Sequence, residues 1–260
     1  MRELEITFLG TGTSHGVPMI GCQCSVCASP DPRDNRLRAA VHIRTPEMVL
    51  QIDTPPDFRT QCLRKAITRI DAVLYTHSHT DHILGFDDLR RFCEMEDKAM
   101  PIYGTARTLA DLRRVFQYAF TEETGFRTYI RPEAVLVDGP FQLGGMEIIP
   151  VDLPHGRMTT TGYVFCRNGQ RLFAYFTDCQ EVPEAAVKAA RGVDTLVLDA
   201  LRHAPHKTHM SFDQARAAAA RIGPRRTFFT HMCHDLGHAA TENLLPDTIR
   251  LAYDGLEISL

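Results

Sequence analysis

Thr76-His-Ser-His-Thr-Asp-His82 places four potential metal ligands, His77, His79, Asp81 and His82, within six residues. Imidazole nitrogens and carboxylate oxygens suit a borderline cation such as zinc. His77 and His79 are two residues apart, so in an extended turn they point to the same side. The apolar run Ala72–Tyr75 reads as a strand ending just before His77. A helical pattern around Leu84–Arg90 follows, so Asp81 and His82 fall where the chain enters a helix. A second metal can then sit beside the first. Two metals ~3.5–4 Å apart can hold an attacking hydroxide and stabilise the displaced oxygen of a phosphoryl centre.

Working outward, Leu4–Leu9 alternates and runs into the glycine loop Gly10-Thr-Gly-Thr-Ser14. Ala39–Ile43 and Val49–Asp53 read as strands about a turn at Thr45-Pro46. Pro56–Lys65 reads as a short helix, and Ala106–Phe120 as a longer one carrying Leu109, Leu112, Val115 and Phe116. Met146–Leu153, Thr161–Cys166 and Arg171–Phe176 read as successive strands, the last two joined by an Asn168-Gly169 hairpin. Pro183–Ala190 reads as a helix and Thr195–Asp199 as a buried strand. Ser211-Phe-Asp-Gln214 fits a capping box, and Gly223-Pro224 ends the helix it starts. Arg226–Thr230 is a further strand, followed directly by His231. No internal repeat, low-complexity segment or linker is visible. The expectation is one α/β domain over residues 1–260, a sandwich with helices covering its sheets.

The 260 residues carry 29 Lys+Arg against 32 Asp+Glu, a net charge of −3. That length can bury roughly 70–75% of the unfolded surface, so no disulfide staples are needed. The balance speaks against a large nucleic acid as partner, because that needs excess cationic charge. No signal peptide opens the chain, and no apolar run reaches the ~18 residues of a membrane span. A cytoplasmic location with reduced thiols follows as an expectation. Gly21-Cys22-Gln-Cys24-Ser-Val-Cys27 then reads as a zinc-knuckle loop over residues 21–27 that lacks one ligand. His234 and Cys233 are the candidates for the fourth.

His-x-His-x-Asp-His after a strand resembles the signature of the metallo-β-lactamase fold superfamily. The resemblance implies a four-layer αββα sandwich with a metal site along one edge. It also implies later ligands after later strands, in the order His, Asp, His, and this sequence offers His155, Asp178 and His231. Carried over, His77, His79 and His155 would hold one metal, and Asp81, His82 and His231 the other, with Asp178 bridging. The expected catalytic cations are two divalent ions, Zn or Mn or Fe. Asp53 resembles the family's aspartate that orients a metal histidine, with an ordinary strand-ending turn as the alternative. Within the superfamily, the chain is similar to the phosphoribosyl cyclic phosphate phosphodiesterases of the carbon–phosphorus lyase pathway. That group carries a similar cysteine cluster and completes a structural zinc site with a histidine three positions beyond the last catalytic ligand. The resemblance thus selects His234 with Cys22, Cys24 and Cys27. Such a site would tie the first loop to the loop bearing His231.

The resemblance implies hydrolysis of a small or cyclic phosphodiester by a dinuclear metal-bound hydroxide. His209, in Lys207-Thr-His-Met-Ser211, is placed like the family's histidine that protonates the leaving group, with His203 and His206 as neighbours in sequence. His209 and Asp81 are the expected catalytic residues. Arg157 and Arg202 are candidates for phosphate contact, with solvated charge as the ordinary alternative. Residues 89–131 either cover the site or pack on the core. Rivals of the same fold are a tRNA 3′-processing-type ribonuclease, which needs a basic arm, and a thioester hydrolase, which needs an added helical domain. A non-catalytic metal-binding or sensor protein is the rival from another class. A small-molecule substrate is the expected partner, and a homodimer is compatible with the resemblance.

Overall fold

The computed structural model describes residues 3–121 and 128–260. Its strands form two seven-stranded sheets. The first sheet contains β1 (Glu5–Gly10), β2 (Ala40–Arg44), β3 (Val49–Ile52), β4 (Ala72–Leu74), β5 (Met100–Gly104), β6 (Pro132–Leu136) and β14 (Glu257–Ser259). The second contains β7 (Phe141–Leu143), β8 (Met146–His155), β9 (Met158–Arg167), β10 (Gln170–Phe176), β11 (Thr195–Asp199), β12 (Arg226–Thr230) and β13 (Ile249–Leu251). Spatial order is 14-1-2-3-4-5-6 in the first and 13-12-11-10-9-8-7 in the second. In each sheet a run of antiparallel pairs gives way to parallel pairs, from β3 onward in one and from β10 onward in the other.

Side-chain alternation explains the layers. In β11, Val197 points between the sheets, while Leu196 and Leu198 point the other way, to α5 (Glu184–Ala190) and α6 (Phe212–Ile222). On the first sheet, Ile6, Val41, Leu50 and Leu74 face the second sheet. Val73 and Ile102 face α1 (Phe58–Arg64), α3 (Arg90–Glu96) and α4 (Ala106–Val115). The expected αββα sandwich is the observed one. Ser211 and Gln214 make the capping box of α6 through bonds of 3.3 and 2.8 Å, and Gly223 ends it at φ 67°. Among the described residues no helix is long and apolar enough to cross a membrane.

Two expected helices are subdivided. The pattern at Leu84–Arg90 becomes α2 (Thr80–Ile83), a 3-10 turn at Phe86–Leu89 and α3. Gly85 sits at the break, where a Cβ would lie 2.3 Å from the Pro55 carbonyl oxygen. The helix at Ala106–Phe120 is α-helical only through Val115, and Gln117–Phe120 is a 3-10 turn. That change of pitch lets Phe116 and Phe120 both stack on Phe86, at 4.6 and 5.8 Å. Residues 89–131 accordingly supply core as well as surface, and 122–127 lie outside the described residues. Strands β5 and β6 carry Pro101 and Pro132, which weaken a strand pattern, and β7, β13 and β14 have three residues each.

The sheets are joined where the metal-ligand motif begins. Tyr163 Oη donates to the Tyr75 carbonyl at 2.8 Å, and the Thr161 amide donates to the Thr76 carbonyl at 2.8 Å. The opening glycine loop has a separate task. The Thr13 amide bonds the Met232 carbonyl, and the Met232 amide bonds the Thr11 carbonyl, so the loop grips the residue after His231. Gly12 permits this because a Cβ would lie 2.7 Å from the Arg36 carbonyl oxygen.

His42 on β2 lies opposite Gln51 on β3, with Nδ1 3.4 Å from Oε1. Burial pushes this imidazole down to about 4. An unfolded histidine titrates near ~6.5, so between the two values the unfolded chain binds the extra proton. Its contribution is fully present above that unfolded value and is lost as pH falls toward 4. From pH 7.5 to 5, the urea-denaturation stability of the wild type should fall about 2 kcal/mol more than that of His42→Asn. Equal losses would show that His42 is not the titrating group.

Candidate metal-binding active site

The ligand-type residues lie at one end of both sheets. His77 and His79 follow β4, and Asp81 and His82 stand in α2. His155 ends β8, Asp178 lies two residues past β10, and His231 lies one past β12. Asp53, Asp178 and His231 all adopt the left-handed region, at φ 60°, 52° and 58°. Each such residue costs about 1–3 kcal/mol, a strain that persists where the surroundings over-determine the backbone.

All seven expected ligands converge. One set is His77, His79, His155 and Asp178; the other is Asp81, His82, Asp178 and His231; within each set the donor atoms lie within 4.8 Å of one another. Asp178 belongs to both. Its Oδ1 is 3.3 Å from His82 Nε2, and its Oδ2 is 3.3 Å from His231 Nε2, 3.8 Å from His77 Nε2 and 4.0 Å from His155 Nε2. Asp81 Oδ2 lies 3.5 Å from His82 Nε2 and 3.7 Å from His231 Nε2.

The far ring nitrogens are held by the protein. His82 Nδ1 donates to Asp53 Oδ2 at 2.7 Å, and His155 Nδ1 donates to the Thr208 carbonyl at 2.8 Å. His77 Nδ1 donates to Thr76 Oγ1 at 3.0 Å, which donates onward to Asp53 Oδ2 at 2.8 Å. These bonds direct Nε2 of each ring into the cluster. There, Nε2 of His77, His82 and His231 is buried without a hydrogen-bond partner. An orphaned buried polar atom costs about 1–3 kcal/mol, and imidazole nitrogens beside carboxylates are a donor set that fits a cation. Asp53 is therefore the orienting residue of the two alternatives its sequence context allowed.

Charge follows the same geometry. Burial opposes ionisation of Asp81 and Asp178, but the adjacent His82 and His231 hold both carboxyls well below their usual range. Burial lowers His77 far below an ordinary histidine. It also opposes charge on His82, yet Asp178, Asp81 and Asp53 hold that ring well above.

His209 faces the same centre. Its ring stacks on His231 at 4.7 Å and meets His155 edge-on at 4.7 Å. Its Nδ1 donates to the fully buried Asp199 Oδ2 at 2.8 Å. Burial opposes the charge, but Asp199 outweighs it and raises the imidazole to about 9. His206 stands farther out, 5.4 Å from His209 ring to ring, and His203 packs against Phe212. Asp199 carries no sequence signal for its role, since a strand-ending aspartate is commonplace. A cleft of about 580 Å³ opens over the cluster, lined by His79, Asp81, Asp178, His209, Arg107 and Arg157 among others.

The cysteine loop also closes as expected. Cys22, Cys24, Cys27 and His234 bring their donor atoms within 4.8 Å. His234 Nδ1 is 3.3 Å from Cys22 Sγ and 3.4 Å from Cys24 Sγ, while the Cys233 thiol accepts from the Asp235 amide instead. The Cys27 amide points at Cys24 Sγ and, with His234, lowers that thiol to about 6. Burial pushes Cys27 up to about 11. Arg36, with no exposed side chain, clamps the same loop from beneath. It donates to the carbonyls of Cys233 at 2.9 Å and Leu236 at 2.5 Å and pairs with Asp34 at 3.1 Å. Nothing in the sequence marks Arg36, because the two carbonyls it clamps are 197 and 200 residues away.

Fold and ligand geometry together define a member of the metallo-β-lactamase superfamily. The chain belongs to the family described as the beta-lactamase superfamily domain, which matches residues 49–232. A crystal structure described as a new diphosphatase from the PhnP family is 42% identical, covers 100% of this chain and 98% of its own, and has TM-score 0.91. An octanoyltransferase of Porphyromonas gingivalis is 34% identical over 98% of this chain, which spans about half, 51%, of that protein's length. Zinc-bound PqqB of Methylobacterium extorquens shares the fold at TM-score 0.79 and 20% identity, covering 98% of this chain and 100% of its own.

Two outcomes follow from the support of the ligands. Asp53→Asn should weaken metal affinity at the His/Asp cluster about 10–100-fold, read by competition with a chromogenic chelator. Unchanged affinity would mean that Asp53 does not orient His82. Cys24→Ser should remove one chelation-resistant metal per chain and lower the melting temperature. A variant with wild-type metal content and melting would exclude the closed cysteine–histidine site.

Proposed function

We propose that residues 1–260 form a single metal-dependent hydrolase domain that cleaves small or cyclic phosphodiesters. The observation that carries this reading is the pairing of two ligand sets sharing Asp178 with a His209–Asp199 couple on the same cleft. His77, His79, His155 and Asp178 would hold one divalent cation, and Asp81, His82, His231 and Asp178 a second. Zn, Mn and Fe all suit such donors. Bound there, the pair would supply Lewis acidity toward a phosphoryl group and make water acidic enough to act as a nucleophile near neutral pH. Cys22, Cys24, Cys27 and His234 would hold a structural zinc.

The chain's own residues divide the remaining work. Asp81 lines the cleft as a carboxylate and can take a proton from the attacking water. Asp178 holds the imidazoles of both ligand sets in one arrangement. His209 is the proton donor to the departing alkoxide. Asp199 binds its Nδ1–H, so the proton on Nε2 is the one presented to the cleft. Asp199 also favours the charged ring, which cations bound nearby would pull back toward neutrality. A volume near 580 Å³ suits a small ligand rather than a folded RNA. None of the eight cysteines is in a disulfide, which is compatible with a cytoplasmic location.

A second reading, cleavage of a P–O–P linkage, is favoured by the 42% identical relative described as a diphosphatase. It uses the same residues, because the reacting centre is again a phosphoryl group with an oxygen leaving group. A sensor role is the competing class, and catalysis decides between them. The metal-stripped protein should hydrolyse bis(p-nitrophenyl) phosphate only after Zn²⁺ or Mn²⁺ is added back; no metal-dependent turnover would favour the sensor. His209→Ala should slow an alkyl leaving group about 10²-fold or more, and p-nitrophenolate, which needs little protonation, far less. Equal losses on both substrates would remove His209 from the acid role.

A further inference from the structure

Strands β4 and β5 are parallel neighbours, so the chain leaves the first sheet at the same end after each. After β4 it enters the ligand loop. After β5 it enters α4, whose N-cap Thr105 follows the strand directly. Ser78, between His77 and His79, thereby meets Asp111 in the middle of α4. Ser78 Oγ donates to Asp111 Oδ2 at 2.6 Å, and Arg114 donates to Asp111 Oδ1 at 3.2 Å. The Ser78 bond is the chief reason that the Asp111 carboxyl lies below its usual range, and Arg114 and Arg107 add to the effect. The helix is a firm support, because Leu109 and Leu112 are buried in the core.

Three of the ligand rings are fixed through their far nitrogen, His77 on Thr76, His82 on Asp53 and His155 on Thr208. The His79 ring makes no hydrogen bond among the described residues, and it is the exposed member of its set. Its ring contacts are edge-on imidazoles, His77 at 4.6 Å and His155 at 5.1 Å. A ring without a bond of its own takes its direction from its backbone. That backbone is tied ahead of His79 at Thr76, whose amide donates to Asp53 Oδ1 at 2.9 Å. It is tied again beyond, where the His82 amide donates to the His79 carbonyl at 3.0 Å. Between these ties, Ser78 on Asp111 is the side-chain anchor of the loop.

We propose that Asp111, acting through Ser78, is a positioning residue for His79, and so sets the metal affinity of the set His77, His79, His155 and Asp178 without touching an ion. The proposal rests on the two-metal reading of the cluster and deepens it. A bond from a hydroxyl to a carboxylate is charge-assisted, so it fixes the course of the loop as well as its distance from α4. Its loss frees His79 to swing toward solvent. The second set keeps its own supports, Asp53 on His82 and the glycine loop behind His231.

The test titrates Co²⁺ into protein stripped of metal at the His/Asp cluster and reads the visible absorption of each bound ion. His79→Ala identifies the ion of the first set, as the one it weakens most. Ser78→Ala and Asp111→Ala should each weaken that same ion about 10-fold, as loss of a ligand's support does, and shift its absorption band. The other ion should keep its wild-type affinity. Combining the two substitutions should weaken the first ion no further, because either one already breaks the bond. Ser78→Thr, which retains the hydroxyl, should keep the wild-type affinity. Wild-type affinity in Ser78→Ala, equal weakening of both ions, or additive losses in the double variant would overturn the positioning role alone. A wild type that binds fewer than two Co²⁺ at the cluster would overturn the two-metal reading, and this role with it.

Discussion

Asp178 is 2% exposed, and four imidazoles approach its carboxylate within 4.0 Å. A charge taken out of water at that depth is costly unless its neighbours compensate for it. Here the compensation comes from parts of the chain far apart in sequence: the loop after β4, the end of β8 and the residue after β12. Every layer of the sandwich is arranged so that these segments end at one place. The cluster is also under-satisfied by protein alone, with four ring nitrogens, Nε2 of His77, His82 and His231 and Nδ1 of His231, buried and unpaired. That is a poor way to stabilise a fold and a sound way to build a cation site.

The surroundings keep this arrangement from relaxing. Asp53 orients His82 directly and His77 through Thr76, so one buried carboxylate organises ligands from both sets. Asp199 plays a parallel role on the other sheet, bonding His209 and lying 3.9 Å from His231. The two sheets are bolted together at the ligand loop through Tyr163 and Thr161. Behind His231, the glycine loop, the cysteine cluster and Arg36 hold the next few residues. The cysteine cluster therefore supports the His/Asp end of the molecule, although none of its thiols faces the cleft over that cluster.

Legibility followed the range of the interactions. The His/Asp motif, the three clustered cysteines, the α6 capping box and most strands rest on spacing within a few residues, and the structure shows those clusters and elements. Elements were missed where local pattern and tertiary demand diverge. Strand β5 is central and buried despite Pro101, because parallel pairing on both sides outweighs its composition. The continuous helix expected around Leu84–Arg90 gives way at Gly85, because the backbone must pass close to Pro55. Arg36, Asp199 and Arg107 acquire meaning only from partners or cavities that no local window contains.

The sequence by itself determined the chemistry on offer: imidazoles and carboxylates at metal-ligand spacing, three thiols in a short loop, and the strand–helix frame around them. Residue type and short-range periodicity carry that information directly. Only the tertiary structure decided which histidine joins the thiol cluster and which stands against the His/Asp cluster. It also decided that Asp53 bonds His82 and that Arg107 and Arg157 line the cleft over the His/Asp cluster while Arg202 does not. Those outcomes depend on which strand ends meet, and that is set by packing two sheets face to face across a shared core. The physical reason is that position in a chain specifies a side chain's nature, whereas its burial, its partner and its charge are properties of the space it shares.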